Sequence, residues 1–396
     1  MATLRTDATR TDIGVMSACA LAADYVDHMV VGTARDVHGA VTARAFGLTN
    51  RATRGWTRGP QDLHDRLFRA AYAGIGAAVR AAETGLRAVD RQGLGPRLED
   101  RPGGRQVLSA VNGLFGDRLR DDRPELAITL AVRSGASDVP LDRSGLATAF
   151  PEATADVAVF LHGLGENDDS WDRRRDENGG TYVSRLAAET SWTPVRLRAN
   201  TGLSIAENGV GLATLLDGLV AAWPTEVRRI ALVGHSMGGL VVRAACAVLT
   251  EADARWTSLV TDVVTLGSPH LGAPLERTVN LWARVLGVLP ESAPFGRILE
   301  HRSVGILDLR RGLAADVRHL PHARYHLVAA TLARSHRHPV SELLGDLLVR
   351  YPSAVGQSRR GRAMFPGADV LHVPGADHFA LLNHPDVYTA LKAWLE

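Results

Sequence analysis

Cysteine and lysine are almost absent from this sequence of 396 residues. Its two cysteines, Cys19 and Cys246, lie more than 200 positions apart, so a disulfide framework is not expected and a reduced compartment such as the cytoplasm is favoured. Lys392 is the only lysine, so arginine supplies nearly all of the 45 basic residues, against 43 acidic ones. Because the two signs are interspersed, the net charge of +2 creates no segregated positive field, and nucleic-acid binding is not indicated.

Long apolar runs are missing as well. No stretch of about 18 uncharged apolar residues occurs, so no helix is expected to span a bilayer. Residues 1–7 carry charge without an apolar segment behind it, so no signal peptide is expected. With 45% hydrophobic and 22% charged residues, the composition is that of a globular protein with a large core, and the length suggests two or three domains.

The N-terminal part, residues 1–125, is predicted to be a helical region without strands. Its best helix covers 63–89, where apolar residues recur at steps of three and four and therefore share one face. Between Arg44 and Arg105 there are 12 arginines and 6 acidic residues, so positive charge flanks this helix. The favoured interpretation is that the apolar face packs against the rest of the protein. The alternative is peripheral contact with an anionic lipid surface.

From residue 126 to residue 396, short apolar runs alternate with helical stretches. This pattern predicts an α/β fold with a mostly parallel sheet covered on both faces, and an antiparallel N-terminal edge because the first strands lack intervening helices. The predicted strands are 126–132, 146–150, 157–161, 195–197, 230–233, 263–266, 325–330 and 370–373. The predicted helices include 181–189, 209–222, 239–250 and 385–394.

The strongest chemical signal is the hexapeptide 234–239, Gly-His-Ser-Met-Gly-Gly. It follows a predicted strand and precedes a predicted helix, which is the context that a G-x-S-x-G nucleophile elbow requires. Glycines beside the serine let the chain turn sharply and pack closely. Ser236 is therefore the candidate nucleophile, placed above the carboxyl edge of the sheet at the N-terminus of a helix.

A serine nucleophile needs a base within hydrogen-bond reach, and the base is expected to follow the last strand. His378 follows the strand 370–373 and is the candidate base. His384 is the weaker alternative and is interpreted as a helix-entry residue, because Pro385 comes next. His270 follows an earlier strand and is expected to line the pocket.

The imidazole in turn needs an acid that fixes its tautomer and stabilises its charged form. In the chain order Ser, acid, His, this residue follows the penultimate strand, and between 331 and 367 only Glu342 and Asp346 are acidic. Asp346 is favoured because it lies in a glycine-flanked loop before an apolar run, and Glu342 is the alternative. Asp377 is set aside because the side chains of consecutive residues rarely point at each other.

Acyl transfer also needs backbone donors for the developing oxyanion. One is the amide of Met237, directly after the serine. The other is the amide of Leu164 in the tetrapeptide 162–165, His-Gly-Leu-Gly, where glycines let the backbone approach a substrate. His162 is interpreted as orienting this loop, with a second base as the alternative role.

Together these motifs resemble the α/β-hydrolase superfamily. The resemblance covers about residues 126–396, and it rests on the loop 162–165, the elbow 234–238 and the order of Asp346 and His378. It implies a serine esterase or lipase that acts through a Ser-His-Asp triad and an acyl-enzyme, without a cofactor or a metal. An acyl thioesterase would use the same residues and is the nearest alternative.

Within the superfamily, residues 265–274, Thr-Leu-Gly-Ser-Pro-His-Leu-Gly-Ala-Pro, are similar to the segment after the elbow in bacterial triacylglycerol lipases and GPI-inositol-deacylase-like esterases. Those relatives carry Gly-Asp-Gly around the acid. Here a leucine, Leu347, follows Asp346.

A long insertion, 271–324, separates two predicted strands and is expected to form a cap over the site. Its apolar residues favour hydrophobic acyl chains, and the alternative is that they only pack the cap itself. The expected substrate contacts are His162, His235, His270, Leu271 and Trp282. The expected ligand is a small or lipid-like ester, and the expected location is cytoplasmic, with peripheral attachment to a membrane or lipid body as the alternative. A non-catalytic scaffold that docks a partner or a lipid surface is the competing class.

Overall fold

The computed structural model describes residues 102–248, 255–273, 303–313, 317, 319–358 and 362–396, together with isolated positions from 66 to 85. The isolated positions are helical and exposed, whereas the apolar residues of the predicted helix 63–89 lie outside the described residues. Most of the predicted cap, including Trp282, also lies outside them. The described residues from Arg105 onward form one compact unit.

An eight-stranded sheet forms the centre of this unit. Its strands are β1 (Ala131–Ser134), β2 (Ser137–Asp138), β3 (Asp156–Leu161), β4 (Trp192–Arg198), β5 (Arg229–His235), β6 (Val260–Leu266), β7 (Arg324–Thr331) and β8 (Asp369–Pro374). They lie in the order β2-β1-β4-β3-β5-β6-β7-β8, in which β1 pairs antiparallel with β2 and β4 and all other pairs are parallel. The predicted parallel sheet with an antiparallel N-terminal edge is confirmed.

The described helices surround this sheet. They are α1 (Pro102–Asp122), α2 (Arg143–Ala149), α3 (Tyr182–Glu189), α4 (Ile205–Ala222), α5 (Met237–Ala247), α6 (Arg255–Leu259), α7 (Val304–Arg311), α8 (Pro339–Leu344), α9 (Tyr351–Ala354) and α10 (Pro385–Leu395). Among these described helices, α4 alone has the length and hydropathy of a membrane span, but half of it is buried inside the protein. Leu212 and Leu216 on α4 are fully buried in the core, which is typical of a core helix.

The predicted strand 146–150 is wrong, because these residues belong largely to helix α2. Asp142 caps that helix, and its Oδ1 accepts a hydrogen bond from the amide of Gly145 at 2.8 Å. Leu146 is the buried residue of the helix. A short apolar run does not distinguish a strand from one helical turn, and the capping aspartate decides between them.

The strand predicted at 126–132 begins later, at Ala131. The preceding backbone is bound to helix α1 instead of to a neighbouring strand. Asn112 on α1 donates from Nδ2 to the carbonyl of Leu126 at 3.0 Å, and its Oδ1 accepts from the amide of Ile128 at 2.8 Å. Because a side chain satisfies these buried backbone groups, they have no need of a strand partner.

The side chains of β3 show how the sheet is buried on both faces. Val157, Val159 and Leu161 pack in the core that contains residues of α4 and α5. Ala158 and Phe160 point to the opposite face and pack in the core that contains residues of α3 and α10. Since successive residues of a strand alternate between faces, burial on both sides explains the unbroken apolar run in the sequence. The parallel strands β3 to β8 all end at one edge, where the candidate residues follow them.

Candidate active site

Ser236 lies at the turn between β5 and α5, with φ 52° and ψ −121°. A non-glycine residue in this region costs about 1–3 kcal/mol, and it persists only where the surroundings hold it. Here two backbone hydrogen bonds, one from the amide of Ser236 and one to its carbonyl, hold the residue in this conformation. The amide of Ser236 donates to the carbonyl of Leu266 on β6 at 2.8 Å, and its carbonyl accepts from the amide of Gly239 at 3.2 Å. The sequence prediction of a sharp strand-to-helix turn agrees with this geometry.

Two glycines of the elbow allow a close approach of backbones. A Cβ on Gly234 would lie 2.4 Å from the amide nitrogen of Gly239, and one on Gly238 would lie 2.4 Å from the carbonyl oxygen of Leu161. Both distances are far below van der Waals contact with rigid backbone atoms. The glycines therefore let α5 start directly against the end of β3, which brings the loop after β3 close to Ser236.

His378 and Asp346 form a buried pair at the carboxyl ends of β8 and β7. His378 Nδ1 lies 2.8 Å from Asp346 Oδ2, and the residues are 2% and 1% exposed. Burial lowers the pKa of His378, but the negative charge of Asp346 and the hydrogen bond to it outweigh burial and raise that pKa above its ordinary value. This arrangement fixes the proton on Nδ1 and leaves Nε2 as the basic nitrogen.

The loop around Asp346 fixes its carboxylate in place. Oδ1 accepts from the amides of Leu348 at 3.0 Å and Val349 at 2.7 Å, so Oδ2 is directed to His378. Leu347, which follows Asp346, has φ 86°, a region that favours glycine. Leu347 is 47% exposed, so its side chain points away from the core. The backbone can therefore keep this turn without a clash between the side chain and the core.

The residues that competed with Asp346 and His378 in the sequence make other contacts. Asp377 caps the turn that follows it, with Oδ1 accepting from the amide of Ala380 at 2.8 Å. Glu342 is exposed on α8. His384 caps α10, where its Nδ1 accepts from the amide of Asp386 at 3.2 Å. The last contact agrees with its interpretation as a helix-entry residue.

The imidazole of His378 lies beside the elbow. A Cβ on Gly267, the residue after the Leu266 that binds Ser236, would lie 3.1 Å from Cε1 of His378. Nε2 of His378 is buried and has no hydrogen-bond partner within the described part of the chain. The nitrogen that would accept the serine proton is therefore not engaged elsewhere. In unliganded enzymes the nucleophile–base contact is often long and tightens only when substrate binds.

The loop after β3 lies against the nucleophile. A Cβ on Gly163 would lie 2.9 Å from Cβ of Ser236. The amides of Gly163 and Gly165 are engaged by Glu166 Oε2 and Thr201 Oγ1, each at 2.8 Å. The amide of Leu164 between them has no acceptor among the described residues. The amide of Met237 likewise has no intrahelical acceptor because it opens α5. These two amides are the oxyanion donors that the sequence predicts, and that role stays a prediction.

His162 is buried beneath this loop and holds its start. Its Nε2 accepts from the amide of Ala199 at 3.0 Å, so the proton lies on Nδ1, which donates to the carbonyl of Gly163 at 2.9 Å. Burial lowers the pKa of His162 and favours the neutral ring. Both nitrogens are used within the protein, which agrees with a loop-orienting role and leaves neither nitrogen free to act as a base or to bind substrate.

The other predicted substrate contacts are His235, His270, Leu271 and Trp282. His235 and His270 are fully buried, and each ring nitrogen faces a protein group, so neither ring presents a nitrogen to a substrate. These contacts do not favour the predicted substrate contacts of His235 and His270, which stay a prediction. Leu271 is 40% exposed directly after His270, and its contact with substrate stays a prediction. Trp282 lies outside the described residues.

The described residues include one cysteine, Cys246, which is buried. Burial raises the pKa of Cys246 to about 12, so this thiol is not an activated nucleophile. No group of three or more His, Cys, Asp or Glu side chains that could hold a metal ion occurs in the part of the chain that the structure describes.

Sequence reasoning did not find the contribution of helix α1 to this site. Ala110, Leu114 and Phe115 of α1 pack with Ile306 of α7 and with Leu164 of the loop after β3. A Cβ on Gly113 would lie 2.9 Å from Cα of Gly165. Gln106 Nε2 also donates to the carbonyl of Gly165 at 3.4 Å. Helix α1 therefore supports the loop that carries the Leu164 amide, although it precedes the region of superfamily resemblance.

Replacing Gly113 with alanine should displace the loop 163–165 relative to Ser236, because the new Cβ meets backbone atoms that cannot rotate away. We expect kcat for an ester substrate to fall about 10- to 100-fold, since a displacement of one ångström in a catalytic group can cost as much. Gly103→Ala on the same helix is the matched control, because a Cβ there meets no described residue within 4 Å. Equal kcat values for the two variants would contradict support of the loop by α1.

The fold and the elbow together define a hydrolase of the α/β class. The chain belongs to the alpha/beta hydrolase family, whose profile matches residues 158–391. No curated protein matches the chain significantly.

Several solved structures are similar to this chain in fold. A lipase from Bacillus licheniformis in its mature form is 19% identical, with a TM-score of 0.42, over 62% of this chain and 93% of that one. Its propeptide form is 18% identical, with a TM-score of 0.44, over 67% of this chain and 53% of that one. A thioesterase domain in covalent complex with a fluorophosphonate nocardicin G analog is 20% identical, with a TM-score of 0.38, over 62% of this chain and 97% of that one. At these identities the likeness concerns the fold alone.

Proposed function

We propose that this protein is a serine carboxylic-ester hydrolase that acts on hydrophobic acyl esters. The observation that carries the proposal is the buried pair of His378 and Asp346, 2.8 Å apart, beside a serine held at positive φ. In this proposal Ser236 is the nucleophile, His378 the general base and acid, and Asp346 the residue that orients the imidazole.

Acylation begins when Ser236 Oγ attacks the ester carbonyl carbon and His378 Nε2 takes the hydroxyl proton. The carbonyl oxygen becomes an oxyanion and accepts hydrogen bonds from the amides of Leu164 and Met237. The ester C–O bond then breaks, and the leaving alcohol takes the proton from His378 Nε2. Asp346 stabilises the imidazolium that exists between these two proton transfers.

Deacylation repeats the same sequence with water. His378 Nε2 takes a proton from the water, whose oxygen attacks the acyl carbon, and the same two amides bind the second oxyanion. The bond to Ser236 Oγ breaks, and His378 returns the proton to the serine. The free carboxylic acid leaves and the starting state is restored.

The proposed preference for a hydrophobic acyl group is supported by two apolar residues, one in the loop after β3 and one in the loop after β6. Leu164 carries a proposed oxyanion donor, and its side chain is half-buried in an apolar cluster with α1 and α7. Leu271, in the loop after β6, exposes 40% of its surface. Apolar pocket walls with a few aimed polar groups are typical of small-molecule sites.

A substrate panel tests the proposal. p-Nitrophenyl esters from acetate to palmitate, each paired with the acyl-CoA thioester of the same chain length, are assayed with the full chain. We expect kcat/KM to be higher for medium or long acyl chains than for acetate, and higher for each ester than for its thioester. Turnover of thioesters alone would favour the thioesterase alternative, and turnover of neither series would contradict the proposed function.

The pH dependence of the reaction follows from the raised pKa of His378. The neutral imidazole is the active form, so kcat/KM should fall as the pH is lowered through the pKa of His378. In the folded protein this pKa lies above the ordinary histidine value of 6.5. We therefore expect the midpoint of the acid limb above pH 6.5. A pH profile of kcat/KM for the preferred ester measures it, and a midpoint below the ordinary histidine value would contradict the raised pKa of His378.

A further inference from the structure

A second carboxylate–imidazole contact lies directly beneath the proposed active site. Glu166 ends the loop after β3, and its Oε2 accepts hydrogen bonds from the amide of Gly163 at 2.8 Å and from His235 Nδ1 at 2.9 Å. Glu166 is 8% exposed and His235 is fully buried. One carboxylate oxygen thus joins the loop that carries the Leu164 amide to the residue that immediately precedes Ser236.

His235 connects this carboxylate to the third segment of the site. Its Nε2 lies 3.3 Å from the carbonyl oxygen of His378, and the two imidazole rings are 4.9 Å apart. The side chain of His235 therefore contacts the loop after β8, while its backbone continues into the elbow. Glu166 and His235 together contact three segments: the loop after β3, the elbow and the loop after β8. These segments must be in register for catalysis.

The charge of Glu166 is held in place despite its burial. Burial raises its pKa, but the charge and hydrogen bond of His235 and the amide of Gly163 outweigh burial and lower the pKa to about 2. Glu166 is therefore a carboxylate at neutral pH. Its negative charge acts together with that of Asp346 to raise the pKa of His378.

We propose that Glu166 and His235 are positioning residues that hold the loop after β3 and the base His378 in register with Ser236. Neither side chain touches the substrate in this proposal, and both act through the backbone of neighbouring catalytic segments. The inference rests on the proposed function, because it assigns a role within that reaction. It explains why a charged residue is buried at this position, where a hydrophobic side chain would avoid the cost of desolvation.

The test compares Glu166→Gln, Glu166→Ala and the control Glu226→Gln in the full chain. Gln keeps an oxygen that can accept from Gly163 and His235 but removes the charge, whereas Ala removes both. Glu226 lies on the surface, where its Oε1 pairs with Arg255 at 3.3 Å. For each variant, kcat and KM are measured with the preferred ester from pH 5 to 9, and thermal melting and circular dichroism establish that the protein is folded.

We expect Glu166→Ala to lower kcat about 10- to 100-fold with KM changed less than about 3-fold, because the loop loses its hydrogen bond and moves relative to Ser236. Glu166→Gln should recover most of that loss. In both variants the acid limb should move to lower pH, by up to about one unit, because His378 loses a neighbouring negative charge. Glu226→Gln should match the wild type in every measurement.

Two results would overturn the inference. One is a folded Glu166→Ala or Glu166→Gln protein with wild-type kcat and an unshifted acid limb. The other is an equal loss of kcat in both variants at every pH without a shift of the limb, which indicates a packing role only. Absence of ester turnover in the wild-type protein would instead contradict the proposed function, so the two failures are distinguishable.

Discussion

Replacing Ser236 with alanine should lower kcat for an ester substrate by about a million-fold, because the nucleophile is lost and only the oxyanion donors and binding remain. Alanine has the same backbone preferences at positive φ, so the elbow keeps its conformation and its strain. The loss should therefore appear in kcat without a comparable change in thermal stability. Steady-state kinetics at high enzyme concentration measure the residual rate.

The matched control is Ser258→Ala, an exposed serine on α6 whose hydroxyl donates only to the carbonyl of Arg255 within the described chain. It should retain wild-type kcat. Residual turnover by Ser236→Ala above about 1% of the wild-type value would contradict the nucleophile assignment, since the loss of a triad serine costs several orders of magnitude.

Replacing Asp346 with asparagine should lower kcat about ten-thousand-fold, because the imidazole would be held in the wrong tautomer. The amides of Leu348 and Val349 donate to Oδ1, so the carboxamide oxygen of the new residue should stay on their side. Its NH2 group then faces His378 Nδ1, which can only accept from it. The proton moves to Nε2, and the ring can no longer take the proton of Ser236.

Glu342→Gln is the control for this prediction, because Glu342 was the competing acid in the sequence and is exposed on α8. It should leave kcat unchanged. A loss smaller than about 10-fold in Asp346→Asn, or a large loss in Glu342→Gln, would contradict the choice of Asp346. Kinetics of the two purified variants with one ester are sufficient for the comparison.

The parts of the fold that could be predicted are those that local sequence determines. The strands around β3 and β5 are buried on both faces, so their apolar runs are unbroken and easily recognised. The elbow could be predicted because it needs glycines at fixed positions beside Ser236, and these are visible in the sequence. Elimination then reduced the candidate acids to two residues, of which Asp346 contacts His378.

The parts that could not be predicted depend on contacts between distant residues. Asn112 binds the backbone of 126–128 in place of a neighbouring strand, and Gly113 packs on Gly165. Neither contact can be recognised from the local sequence pattern. The contact between Glu166 and His235 joins residues 69 positions apart. The one visible signal was an acidic residue directly after the 162–165 loop. Its role depends on which imidazole the fold brings to it.

The measurement that tests the central claim most directly is labelling of the full chain with a fluorophosphonate, followed by mass mapping of the modified peptide. This reagent requires a hydroxyl that an adjacent base has activated. The account predicts a single adduct on the serine at position 236, and no adduct in the Ser236→Ala protein. An adduct on a different residue, or an unmodified protein that still hydrolyses esters, would contradict it.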